Sequence, residues 1–197
     1  MNPERRRTLR RIGGVVGVGA FAAPLVVSAV HPAALASERF GSLPSALKAL
    51  EQLRNDAPRM IGAWDLPHVL HHAAQSVEYS MHGFPEPKPV WFRATLGSYA
   101  FALFNARGQM THNLAEPIPG APGIAQGQPL GAAIDHAIAA LQAFDRHSGA
   151  LAPHFAYGAL DKPAYTRAHL MHLANHWVEA ALSITREGYT PLKETTA

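Results

Sequence analysis

The sequence predicts an all-α protein, a four-helix bundle with a long connection between its second and third helices. Four segments begin alike, with a capping residue two positions before a proline: Ser42-Leu43-Pro44, Asp65-Leu66-Pro67, Gly127-Gln128-Pro129 and Asp161-Lys162-Pro163. Proline is accepted in the first turn of a helix, where amides lack intrahelical partners, and serine or aspartate can cap that turn. Apolar residues then recur at helical spacing, and no segment alternates as a half-buried strand does.

The first 36 residues are predicted to be an export signal, and 37–197 the folded domain. Arg5-Arg6-Arg7-Thr8-Leu9 resembles a twin-arginine signal, and Ala34-Leu35-Ala36 offers a small-x-small cleavage site. The apolar stretch between them, Gly13 to Val30, has 18 residues, slightly fewer than the ~20 of a membrane span. We therefore expect a periplasmic or secreted protein, with a membrane anchor through an uncleaved leader as the alternative.

Composition excludes several classes of function and of metal ligand for the domain. The chain has 17 basic and 14 acidic residues, and 12 and 13 remain without the leader, so its apparent basicity belongs to the leader. A domain with a net charge near −1 has no nucleic-acid footprint. The chain has no cysteine, which excludes disulfides and thiolate ligands, and a metal would have to use His, Asp or Glu.

The predicted helices run from Leu43 to about Asn55, Leu66 to about Met81, Gln128 to about Arg146 and Lys162 to about Arg186. The link between the second and third spans 83–127 and holds an apolar segment, Ala94 to Ala106, that could form a short helix. Its aromatic residues suggest that it packs on the bundle: Trp91, Phe92, Tyr99, Phe101 and Phe104. Connections of this length are usually functional.

The fourth predicted helix carries an H-x-x-x-H pair, His172 and His176. At 3.6 residues per turn these side chains point about 40° apart, one turn above the other, so both imidazoles can converge on one metal ion. His169 falls on the same face. A third ligand must then come from another helix.

The second predicted helix offers that ligand in its own pair, His68 and His72. Gln75, Ser76 and Tyr79 share the face of His72 and could bind a ligand's outer nitrogen or a substrate. His71 points about 100° away, which indicates packing or surface. A single such histidine would most often be an ordinary core residue. Five on two inward faces favour a shared metal site.

These residues resemble DinB-like proteins. Trp64, followed by seven residues and then His72, is similar to their second helix, and His172-Leu173-Ala174-Asn175-His176 to their fourth. The stretches 119–123 and 153–158 resemble the branch known as domain of unknown function 1569.

The resemblance covers most of 42–184 and implies a four-helix bundle with a divalent metal, Zn or Ni, on three histidines. The implied ligands are His72, His172 and His176. Some members are thiol S-transferases. Many relatives have two adjacent histidines in the fourth helix, where this chain has Asn175-His176, and His169 adds a competing candidate.

Three neutral imidazoles with an open fourth position are typical of catalytic zinc. We expect a metal-dependent transferase or hydrolase acting on a small molecule, with a non-catalytic metal-binding or ligand-binding module as the alternative. A fourth protein ligand, His68 or His169, would favour the alternative. His154 and Tyr157 could face the mouth of the site or pack in their loop. Glu179 is expected to face solvent, with a position beside the metal ligands as the alternative. His82, His112, His136 and His147 are expected to be ordinary surface or loop residues. Association into a homodimer is left open.

Overall fold

The computed structural model of the protein describes residues 32–187, with side chains through Ala180, and over this range it is helical without a strand. The part of the predicted export signal that precedes residue 32 lies outside the described residues, as does the chain after residue 187. The all-α fold class is confirmed. No helix among the described residues is long and apolar enough to cross a membrane.

Five helices form the described domain: α1 Leu43–Gln52, α2 Leu66–His82, α3, α4 Leu130–Arg146 and α5 Lys162–Glu187. Helix α3 lies in the long connection and joins Val90–Phe92, a π-helical turn Arg93–Gly97, and Ser98–Arg107. It is therefore longer than the predicted 94–106 segment. The other four correspond to the four predicted helices.

Three of the four predicted starts are correct. The Ser42 hydroxyl accepts the Ser45 amide, and the Asp161 carboxylate accepts the Ala164 amide at 2.8 Å. The predicted start at Gln128 is wrong, because α4 begins at Leu130 with Pro129 as the residue before it. Gly127 instead occupies a left-handed turn, φ +71°, which a glycine adopts without strain.

Asp65 secures the start of α2, the helix that carries His72. One carboxylate oxygen accepts the His68 amide at 2.9 Å, and the other accepts the Gly127 amide at 3.0 Å. The same side chain therefore caps α2 and ties it to the turn before α4.

Replacing Asp65 by alanine is expected to lower the free energy of unfolding by ~1–2 kcal/mol, since a helix cap and a loop contact are lost together. Urea unfolding followed by circular dichroism measures the change. Asp56→Ala, at an exposed position ahead of the same helix, is the matched control. An equal loss in both variants would contradict a capping role for Asp65.

Helix α2 packs most extensively against α4, and it also contacts α5. Ile134, Ile138 and Leu141 of α4 face the core, as the sequence predicts. On α1, Leu50 and the following Leu53 are buried, while Leu43 and Leu47 pack on the edge of the core. The bundle thus places α2 and α5, the two histidine-bearing helices, next to each other.

Helix α3 makes a smaller cluster, in which Phe101 packs with Met110, Ala168 and Met171. The predicted packing of its aromatics holds only in part, because Trp91 and Tyr99 are 64% and 69% exposed. Gly97 lies so close to the loop after α4 that a methyl group there would overlap the Ala156 carbonyl oxygen. This contact places that loop directly against α3.

The segment just ahead of α1 packs on the domain. The Arg167 guanidinium donates to the Ala33 carbonyl oxygen at 2.8 Å, and the Ala36 amide donates to the Gly108 carbonyl oxygen at 3.0 Å. Leu35 packs against both apolar clusters. Residues 33–36 are therefore part of the fold.

Candidate metal centre

Three histidines from two helices meet in the bundle. His72 comes from α2, and His172 and His176 come from successive turns of α5. Each offers a ring nitrogen that lies within 4.8 Å of the other two. The Nε2 of His172 lies 3.2 Å from that of His72 and 3.1 Å from that of His176. The sequence spacing of four therefore has the predicted result, since both α5 imidazoles reach one point together with His72.

Hydrogen bonds alone satisfy this cluster poorly. The Nε2 of His172 has either one proton or one in-plane lone pair, which its two nitrogen neighbours would have to share. A cation between the rings would satisfy all three lone pairs. Two nitrogens bound to tetrahedral zinc at ~2.0–2.1 Å stand ~3.3–3.4 Å apart, close to the spacing here.

Protonation of the cluster is disfavoured. Burial, together with neighbouring imidazoles, lowers the pKa of His72 to about 4 and that of His176 to about 3. The same causes hold the pKa of His172 well below its usual range. The three rings thus remain neutral, which is the state that binds metals.

Trp64 covers the outer side of the cluster. Its ring packs on His72 with centroids 4.9 Å apart and lies nearly parallel to the His176 ring at 6.0 Å. It also stacks on His68 at 4.3 Å. His68 is buried in this stack and does not join the cluster. It packs with the ring that covers the site and does not supply a fourth ligand.

His169 is also separate from the cluster. Its Nε2 lies 3.2 Å from the Ser80 hydroxyl, and its ring packs against Phe144 and Tyr165. Burial lowers its pKa to about 3. Among the described residues no fourth His, Asp or Glu completes the group of three.

The remaining α2 candidates divide between the site and the packing around it. Ser76 lines the cavity beside the cluster. The Gln75 amide donates to the Pro122 carbonyl oxygen at 3.3 Å, and the Tyr79 ring packs on Phe84. Gln75 and Tyr79 thus hold the long connection in place. His71 pairs with His136, their Nδ1 atoms 2.8 Å apart, away from the cluster as predicted.

A cavity of about 200 Å³ opens beside His72 and His172. Its walls come from α2, α5, the end of the long connection (110–119) and the loop before α5 (154–157). His154 and Tyr157 both line it, and their rings stack 4.2 Å apart. The sequence left open whether His154 packs in its loop or faces the site, and in the structure it does both.

His112 is the residue that sequence reasoning missed. Its ring lies 5.0 Å from that of His172 and 5.3 Å from that of His176, and it lines the cavity. Its Nδ1 contacts the Asn113 carbonyl oxygen at 2.9 Å. A carbonyl oxygen can only accept, so Nδ1 carries the proton and Nε2 has the lone pair.

Asn175 holds the backbone at His112 in place. With its amide oxygen turned toward the loop, Asn175 accepts the His112 amide at 3.2 Å and donates to the Met110 carbonyl oxygen at 3.1 Å. Asn175 lies between the two histidines of the α5 pair, but nothing in its spacing indicates this distant partner. Glu179 lies against Gly62 and is half-buried, so its predicted solvent-facing position is only partly correct.

Comparison with known proteins assigns a family. The model of the family described as "Protein of unknown function (DUF1569)" matches residues 33–181, most of the chain, and the chain therefore belongs to this family. No curated protein and no solved structure matches the chain. The family match begins at residue 33, where the described segment first contacts the domain.

Proposed function

We propose that this DUF1569 protein is an exported enzyme that holds one divalent metal, zinc or nickel, on His72, His172 and His176, and acts on a small molecule. The observation that carries the proposal is that two of these ligands, His72 and His172, also line the cavity. A small molecule in the cavity would therefore meet the centre directly. We also propose that the family lies within the DinB-like superfamily, on the histidine spacing and the helical bundle.

The three histidines leave the fourth position to a non-protein ligand. A metal ion in such a site lowers the pKa of bound water, polarises a carbonyl or binds a thiolate. Neutral imidazoles suit zinc and nickel equally. No fourth side chain of the described part of the chain joins the group, which favours a catalytic site over a structural one.

His112 is suited to act as the base. Its Nε2 lone pair belongs to a ring that lines the cavity beside His172. In a hydrolysis, His112 would take a proton from water as the water oxygen bonds to the substrate carbonyl carbon. It would return the proton to the leaving group as the bond to that group breaks.

The reaction class follows from the compartment. Low-molecular-weight thiols are scarce in reduced form outside the cytosol, which disfavours the thiol transfer known for some DinB-like proteins. Hydrolysis needs only water as the second reactant. We therefore propose a hydrolase first and a transferase second, with a non-catalytic metal-binding module as the rival.

Cobalt substitution tests the proposal. The purified chain loaded with Co²⁺ is expected to show the intense visible bands of a four-coordinate site, and azide should change them by replacing the non-protein ligand. The His172→Ala variant is the control and should show no such bands. Bands that azide leaves unchanged would identify a closed, structural site, and a chain that takes up no metal would refute the proposal.

A further inference from the structure

The cavity has a second polar wall, formed by His154 and His169. Neither belongs to the three-histidine cluster, and both line the cavity. Both rings also pack against Tyr165, with centroids 6.1 and 5.4 Å away, so the two histidines are neighbours. Each is held by a hydrogen bond that fixes which of its nitrogens carries the proton.

His154 presents a donor. Its Nδ1 accepts the amides of Ala156 and Tyr157 at 3.1 and 3.2 Å, which is only possible when that nitrogen is unprotonated. A neutral imidazole then carries its proton on Nε2. The Nε2–H is consequently the group that His154 can offer to an occupant of the cavity.

His169 presents an acceptor. The Ser80 hydroxyl donates its only proton to the Val77 carbonyl oxygen at 2.6 Å, so its oxygen must accept from His169 Nε2 at 3.2 Å. With the proton on Nε2, the lone pair of His169 is on Nδ1. Ser80 itself is fully buried and does not line the cavity.

The charges of the cavity lie at its mouth. Lys88 and Glu116 line it from exposed positions, whereas the rest of the lining consists of histidines, apolar residues, Ser76 and Tyr157, without a carboxylate or an ammonium. In the absence of a metal, an ionised group placed against His154 and His169 would lose its hydration, and neither neutral imidazole would supply a partner of opposite charge. The wall therefore selects against ions.

We propose that the His154–His169 wall binds an uncharged group that both accepts and donates hydrogen bonds, a primary carboxamide in its simplest form. The carboxamide oxygen would accept from His154, and its NH₂ would donate to His169. A carboxylate has no proton for His169, and an ammonium has no lone pair for His154. As a statement about the substrate this rests on the proposed function, but binding to the wall does not need the metal.

Three probes of equal length test the wall: butyramide, butyrate and butylamine. Their dissociation constants are measured by ligand-observed NMR on the full chain as purified. The measurement is repeated after chelator treatment, with circular dichroism showing that the helices persist. Chelation removes any contact between butyrate and a metal. We expect butyramide to bind at least ~10-fold more tightly than either ion, since a buried unpaired group costs that much or more.

A variant outside the cavity supplies the second arm. Ser80→Ala removes the acceptor that fixes the His169 proton, and the preference for butyramide should shrink several-fold. Ser98→Ala is the matched control, because the Ser98 hydroxyl likewise donates to a carbonyl three residues back, at 2.9 Å, without a histidine partner. Should Ser80→Ala fail to fold, the probe series on the unmodified chain decides alone.

The outcomes separate the two proposals. Butyrate or butylamine binding as tightly as butyramide in the chelated chain would overturn the carboxamide wall and leave the metal site standing. A chain that takes up no metal yet prefers butyramide would support the wall and overturn the enzyme proposal. An unchanged preference in a folded Ser80→Ala variant would overturn the proton assignment at His169 and with it the wall.

Discussion

Replacing His72, His172 or His176 by alanine is expected to empty the metal site. In the proposed centre each imidazole would supply one of three protein bonds, and two histidines alone would bind the ion weakly, so bound metal should fall from about one per chain to near zero. Elemental analysis of each purified, folded variant gives this ratio directly. The loss should be equal on both helices, because the cluster needs α2 and α5 together.

Two other histidines on the same faces serve as controls. His68 stacks on Trp64, and His169 bonds to Ser80, so neither reaches the cluster. Their alanine variants should keep their metal, with an affinity loss of at most ~10–100-fold through altered packing of the ligands. Full metal in His72→Ala would show that the site does not span the helices. An empty site in His169→Ala but not in His176→Ala would mean that the other α5 pair is the ligating one.

Replacing Phe144 by alanine is expected to lower the free energy of unfolding by ~3–5 kcal/mol, the largest effect that we expect from any change in the core. The Phe144 ring is 0% exposed and packs edge-on against both Tyr165 and His169. The cavity left behind would border the inner wall of the site. Urea unfolding followed by circular dichroism measures the loss.

Phe92→Ala is the matched control for Phe144→Ala, because Phe92 is only half-buried and lies on α3, away from the main core. It should lower the free energy of unfolding by less than half as much. Equal losses in the two variants would contradict the placement of Phe144 at the centre of the packing. Phe144→Ala should also weaken butyramide binding, whereas Phe92→Ala should not.

The architecture was predictable because the signals for it are local. A helix start marked by a capping residue two positions before a proline depends on a few adjacent residues. Three such predicted starts are correct, with caps at Ser42, Asp65 and Asp161. The start of α4 was not predictable in the same way. Gly127 lies in the turn before α4 and donates its amide to Asp65, a residue 62 positions away.

The candidate site was also only partly predictable, because local spacing indicated some of its residues and tertiary packing placed the others. A spacing of four residues on one helix fixes the direction of His172 relative to His176, so this half of the cluster could be read from the sequence. Spacing on α2 alone left His68 and His72 open; the resemblance carried by Trp64 implied His72, and the structure groups His72 with the α5 pair while His68 stacks on Trp64. His112 depends on Asn175, which holds the long connection from a different element. Contacts of this kind come from tertiary packing and have no signature in spacing.

Because residues 33–36 pack on the domain, folding would compete with the predicted cleavage after Ala36. A peptidase that cuts after Ala36 must bind the preceding residues in an extended form, but in the folded domain Arg167 holds Ala33 and Leu35 is packed between two clusters. If the sequence after Ala36 is the cleavage site, as predicted, a chain that folds first would hide it, and a chain cut there first would lose part of its packing. The order of the two events would then decide whether the protein is released or stays attached to the predicted leader.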